Sequence, residues 1–176
     1  MQPDDGKRNG RRGEGTNLYT PAERERRDAT VWTLVQGILA PVQFLIFAVS
    51  LALVIRYLVT AEGLALATAS VIAKTIALYT IMVTGAIWEK VVFGRYLFAA
   101  AFYWEDVFSM LVIALHTAYV AALLLDIGTD RERLILALAA YATYVINAGQ
   151  FILKLRAARL GAAAQAAGGS PEMAAA

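Results

Sequence analysis

Four stretches of the chain are nearly unbroken runs of apolar residues, roughly Thr30 to Leu58, Leu64 to Ile87, Val107 to Leu125 and Leu134 to Leu153. A helix needs about 20 such residues to cross the hydrocarbon core of a bilayer. The third run is the shortest, and Phe102 to Trp104 can extend it. Apolar runs of this length predict helices rather than strands, and Pro41 is expected to kink the first. The connectors are short, TAEG after the first run and DIGTDRER after the third. The pattern predicts an all-α integral membrane bundle of four transmembrane helices. A polar leader covers residues 1–28, the membrane domain 29–157 and an Ala/Gly-rich tail 158–176.

Composition agrees. Of the 176 residues, 59% are hydrophobic and 17% charged, with a mean hydropathy of +0.56; a soluble domain is usually about 45–50% apolar and about 25% charged. A formal charge of +2 gives no electrostatic footprint for nucleic acid. The chain has no cysteine, which excludes disulfides, thiolate metal sites, iron–sulfur clusters and a cysteine nucleophile. Its single histidine excludes a haem held between two histidines of one chain. The leader lacks an apolar core of the kind a signal peptide has, so none is expected. Its first half, rich in glycine and charge, is expected to be disordered.

Lysine and arginine set the expected orientation, because they concentrate in cytoplasmic loops. Lys7, Arg8, Arg11, Arg12, Arg24, Arg26 and Arg27 precede the first span, Lys90 and Arg95 follow the second, and Lys154, Arg156 and Arg159 follow the fourth. The opposite side has only Arg56, Arg131 and Arg133. Both termini and the 88–106 connector are therefore expected on the cytoplasmic side.

That connector has unusual chemistry. The stretch IWEKVVFGRYLFAAAFYWEDVF holds eight aromatic residues together with Glu89, Glu105 and Asp106, and Trp-Glu occurs in it twice. Aromatic rings suit the membrane interface, so an interfacial loop is expected over 88–106. One reading is an aromatic belt whose charges face water. The other follows from placement, since Glu89 leaves the second span and Glu105 enters the third. Carboxyls crowded by one another and by apolar rings hold a proton in the way a general acid must.

Lys74 and His116 lie near the middle of the second and third spans, where an ionisable side chain is a functional hypothesis by default. The alternatives are a snorkelling or internally paired lysine and a hydrogen-bonded packing histidine. Gln36 and Gln43 share one face of the first span. Tyr144, Asn147 and Gln150 step by three along the fourth, and Glu105, Ser109, Val112 and His116 share a face of the third. The four inner faces describe a bundle with a polar, ligand-sized interior.

The chain also resembles a known family. The stretches YTPAERERRDATVWTLVQGILAPVQF, LYTIMVTGAIWEKVVFGRYLF, FYWEDVFSM, ALHTAYVAALL, ALAAYATYVINAGQF and KLRAARL are similar, in order and spacing, to the 3-vinyl bacteriochlorophyllide hydratases, also called chlorophyllide a hydratases. The likeness covers about Tyr19 to Leu160. It implies addition of water across the vinyl group of a chlorophyllide or bacteriochlorophyllide, giving a 1-hydroxyethyl group, in a multi-pass protein of a bacterial inner or intracytoplasmic photosynthetic membrane. Neither a redox cofactor, a nucleotide nor a resident metal is implied. The lipid bilayer and neighbouring pigment-biosynthesis enzymes are implied as partners.

Such chemistry needs an acid, a base for water, a charge partner for the substrate propionate and a possible ligand for the substrate's magnesium. Glu89, Glu105 and Asp106 are the expected catalytic groups, with acid and base not assigned among them. Lys90 and Arg95 are expected to hold the propionate, and His116 is the candidate axial ligand to magnesium. Lys74, Tyr144 and Asn147 are expected to line the same cavity. One strain is visible already: Glu105 and His116 are about 16 Å apart along a helix. A non-catalytic tetrapyrrole-binding or assembly protein would use the same bundle and histidine without needing the carboxylates. A small transporter, suggested by the central Lys74, would be expected to show internal repeats, and the two halves show none.

Overall fold

The computed structural model describes residues 18–168, with side chains described to residue 161. The helices are α1 (Pro21–Ala29), α2 (Val31–Thr60), α3 (Leu64–Phe93), α4 (Tyr103–Leu124) and α5 (Asp130–Gly168). Four of the five, α2 to α5, are long and apolar enough to cross a membrane. The first half of the leader lies outside the described residues.

The fifth helix, α1, was not among the four runs because it is polar throughout. Its start is nonetheless written in the sequence: Thr20 accepts from the Glu23 amide at 3.3 Å, and the Glu23 carboxylate accepts from the Thr20 amide at 2.8 Å. With Pro21 at the first helical position, this is a complete capping box. Thr30 ends α1 and caps α2 through the Trp32 amide, so the chain turns sharply between them.

The long helices form two antiparallel hairpins, α2–α3 and α4–α5, packed into a bundle. In the first hairpin Gln36 Nε2 donates to Thr84 Oγ1 at 2.8 Å and Trp88 Nε1 to Thr33 Oγ1 at 2.9 Å. In the second, Asn147 Nδ2 donates to Ser109 Oγ at 2.8 Å and Lys154 Nζ to Glu105 Oε2 at 2.6 Å. Between hairpins, Ser50 shares a hydrogen bond with Tyr141 while also bonding Ser70 of its own hairpin, and Phe47 packs against Tyr141 and Tyr144. The bundle buries polar groups beside an apolar core and is apolar outside: Ser50, Lys74 and His116 are fully buried, whereas Leu34, Leu45, Val59, Val83 and Leu153 are exposed. That inversion fits a surface meant for acyl chains rather than water.

Helix lengths differ, and the difference builds the site. At 1.5 Å per residue, α3 (30 residues) extends about 45 Å and overruns a hydrocarbon core of about 30 Å, whereas α4 (22 residues) extends about 33 Å. The extra turns of α3 carry Glu89 to the end of the bundle where α4 begins. Gly94, at φ 81°, stops α3 in a left-handed conformation that suits glycine. The non-helical link is thus 94–102, and both ends of the 88–106 stretch, drawn from sequence as an interfacial loop, are helical. Val92 and Phe93 keep α3 going because they pack against Tyr19 and Phe102.

Candidate active site

At this end of the bundle three helices and the 94–102 link converge. Glu89 comes from the last turns of α3, Glu105 and Asp106 from the first turn of α4, and Lys154 from α5. The three carboxylates are buried, with exposures of 6%, 6% and 3%. The link folds over them. Its Phe98 amide donates to Asp106 Oδ2 at 2.7 Å and its Ala99 amide to Glu89 Oε2 at 3.3 Å. Because those two amides are neighbours, they bring the Glu89 and Asp106 carboxyls side by side. Lys154 pairs with Glu105 and stands 5.1 Å over the Phe102 ring.

An aromatic cluster backs these groups. Phe102 stacks on Phe151 at 5.7 Å and meets Trp88 and Phe93 edge-on at 5.8 and 5.9 Å. Tyr19 stacks on Phe93 at 5.8 Å, with the Arg27 guanidinium 4.7 Å over its other face. Burial pushes the Tyr19 phenol above its ordinary range, against the pull of Arg27, so it stays neutral. A cleft of about 820 Å³ opens beside the cluster, lined by Phe93, Arg95, Ala99, Lys154, Ala158 and others. Sites for small organic molecules run from about 300 to about 1,000 Å³. Ala99 and Lys154 each line the cleft and bond a carboxylate, so the acids lie one residue behind its wall.

The remaining expected residues separate. Arg95 lines the cleft and donates to Phe98 O at 3.2 Å. Lys90 instead donates to Gly94 O at 2.9 Å, tying down the end of α3. Lys74, His116, Tyr144 and Asn147 form a second layer deeper in the bundle and are absent from the cleft lining. Lys74 Nζ sits 3.5 Å over the Tyr144 ring. His116 Nδ1 lies 2.8 Å from Val112 O, and since a carbonyl only accepts, Nδ1 carries the hydrogen. Lys74 Nζ, His116 Nε2, Asn147 Oδ1 and Gln150 Oε1 are buried without a hydrogen-bond partner among the described residues.

Sequence reading used Lys154 only as a cytoplasmic charge. A signal existed: Lys154 continues the Tyr144, Asn147, Gln150 stripe by one further turn of α5. The amides of Phe98 and Ala99 had no such signal, because backbone donors leave no mark on residue type.

Fold and site together define a polytopic helical protein of membrane type, with buried acids bordering a ligand-sized cleft. Residues 19–157 match the family model for 2-vinyl bacteriochlorophyllide hydratase (BCHF), and the chain belongs to that family. It is 68% identical over 151 residues to the 2-vinyl bacteriochlorophyllide hydratase of Rhodobacter capsulatus, covering 86% of this chain and 88% of the relative. It is 70% identical over 143 residues to that of Cereibacter sphaeroides, covering 81% and 89%. No solved structure matches the chain.

Proposed function

We infer that the protein is a hydratase of bacteriochlorophyll biosynthesis, a hydro-lyase that adds water to the vinyl group of a bacteriochlorophyllide. The family supplies the reaction, and the gathering of Glu89, Glu105 and Asp106 behind the wall of one cleft supports putting the chemistry there. A vinyl group conjugated to the macrocycle is protonated at its terminal carbon. The cation on the inner carbon is delocalised into the ring, and water adds there. Buried carboxyls one residue behind the wall of such a cleft suit both proton transfers, each worth about 10²–10⁴-fold in rate.

In this reading the macrocycle lies in the cleft against Phe93, its propionate towards Arg95, its vinyl edge towards Ala99 and Lys154. The carboxylate end faces the cytoplasm, as the lysine and arginine distribution favours. The protein then sits in a bacterial inner or photosynthetic membrane with lipid against its apolar exterior and can pass its product to neighbouring pigment enzymes. His116 has the tautomer of a metal-ligating imidazole, with Nδ1 fixed by a carbonyl and Nε2 unpartnered. It is nevertheless about 16 Å along unbroken α4 from Glu105. One bound ring cannot place its magnesium on His116 and its vinyl group at the carboxylates, so the chemistry is assigned to the carboxylate end and His116 is left out of it.

The test is to incubate the purified protein with a vinyl-bearing chlorophyllide and follow the mass gain of one water. Glu89→Gln and Glu105→Gln should each lower turnover at least on the order of 10²-fold while the pigment still binds. Full activity in both variants would place the site elsewhere, and pigment binding without water addition by the wild type would favour a carrier.

A further inference from the structure

The two kinds of carboxylate contact at this end are chemically different. An ionised carboxylate only accepts hydrogen bonds, so two of them can bond each other only when one carries a proton. Glu89 and Asp106 are buried side by side and make no ion pair among the described residues; each accepts from one of two neighbouring loop amides, Ala99 at 3.3 Å and Phe98 at 2.7 Å, and one proton held between them is what spares the site two adjacent buried charges. The amides fix both groups and leave the shared proton between them. Glu105 instead meets an ammonium: Lys154 Nζ lies 2.6 Å from its Oε2, within the range of a charge-assisted bond. It has the partner of a carboxylate that takes protons rather than gives them. The charged groups facing this cluster are Asp106 and Glu105 from α4, Glu89 from α3 and Lys154 from α5. Lys90 and Arg95 are turned to the carbonyls of Gly94 and Phe98.

We propose that the Glu89–Asp106 pair is the acid that protonates the vinyl group, that Glu105 is the base for water, and that Lys154 is the positioning residue that holds Glu105 in that role. The proposal rests on the hydration site described above. In the first step the shared proton moves to the terminal vinyl carbon, and the π electrons become the new C–H bond. In the second, a lone pair of water forms the C–O bond to the cationic inner carbon and a water proton passes to Glu105. Glu105 adjoins Asp106 in the first turn of α4, so it returns that proton to the pair. The balance is one water consumed and no other reactant.

Deuterium separates the two halves. In D2O, an enzyme that protonates the vinyl group without activating water forms the cation and loses a proton again, leaving deuterium on the terminal carbon of recovered substrate. Glu105→Gln should lower hydration on the order of 10²-fold and still wash deuterium into that carbon. Lys154→Met should behave likewise to a smaller degree, and Lys154→Arg should restore hydration. Glu89→Gln and Asp106→Asn should lose both hydration and wash-in. If Glu105→Gln misfolds, the double variant Glu105→Gln, Lys154→Met removes the ion pair without stranding a charge and carries the same expectation. Loss of wash-in with Glu105→Gln, its retention with Glu89→Gln, or equal behaviour of Lys154→Met and Lys154→Arg overturns the division of roles while leaving the site in place. Full hydration by every variant overturns the site itself, and the division with it.

Discussion

The bundle holds two buried polar regions that resemble each other in composition and differ in how their atoms are satisfied. At the carboxylate end, Glu89, Asp106 and Glu105 each have a named partner, two of them backbone amides of the 94–102 link and one the Lys154 ammonium. In the middle layer, among the described residues, Lys74 has only the face of Tyr144 at 3.5 Å, and His116 Nε2 and Asn147 Oδ1 have no hydrogen-bond partner. Fixed donors aimed at charge are what an acid–base site requires, since they stabilise a changing charge without having to reorganise. The middle layer has ionisable groups without that scaffold. Ionisable residues deep in a membrane bundle attract attention from sequence alone. The comparison teaches that their partners, more than their cost, mark the chemistry.

The largest effect is expected at Asp106, which accepts from the link and lies beside Glu89. Asp106→Asn keeps the size and an acceptor for the Phe98 amide, yet removes the carboxyl that shares the proton. Hydration should fall by about 10²–10⁴-fold with pigment binding retained. The measurement is single-turnover conversion at saturating pigment. A loss below tenfold would mean that the pair is a structural clasp for the link, and the two regions would no longer differ in kind.

Much of this was legible beforehand. The four apolar runs became α2 to α5; the start at Leu64 matches, and the other ends move, by one residue at Leu124 and by six at Phe93, where α3 finds extra packing. Glu105, Ser109 and His116 do share the inward face of α4, as their spacing demands. That Glu89 would reach Asp106 was not legible, because it depends on α3 being long enough to overrun the bilayer and on a link that folds back. Nor was the bond from Lys90 to the Gly94 carbonyl readable, since a basic residue near a helix end has many acceptors within reach. Periodicity reports what lies along one helix. The site is made between three helices and a loop, and such distances have no period.

A smaller effect is expected at His116. If the middle layer is outside the chemistry, His116→Gln should reduce kcat by less than a factor of about 3, the equivalent of one interhelical hydrogen bond averaging about 0.6 kcal/mol. The absorption bands of the bound pigment should not move, because a magnesium that loses an axial ligand changes its spectrum. A shift of those bands together with a large fall in kcat would put the macrocycle in the middle layer and reverse the assignment.

The smallest effect concerns Lys74, and its direction matters more than its size. A lysine at mid-membrane costs at least about 2.5 kcal/mol on insertion scales. A desolvated cation over an aromatic ring returns about 2 kcal/mol. The two nearly cancel, which is how Lys74 can persist beside Tyr144 without a carboxylate partner. Lys74→Met fills a similar volume and removes both terms, so the net change is about 0.5 kcal/mol in favour of the variant. For a chain of this length that corresponds to a rise in Tm of roughly 1–2 °C, measured in detergent, with hydration unchanged. A fall in Tm accompanied by lost turnover would show that the ammonium meets a partner during the reaction. The middle layer would then belong to the site, and the unpartnered atoms around it would be the contacts that the substrate completes.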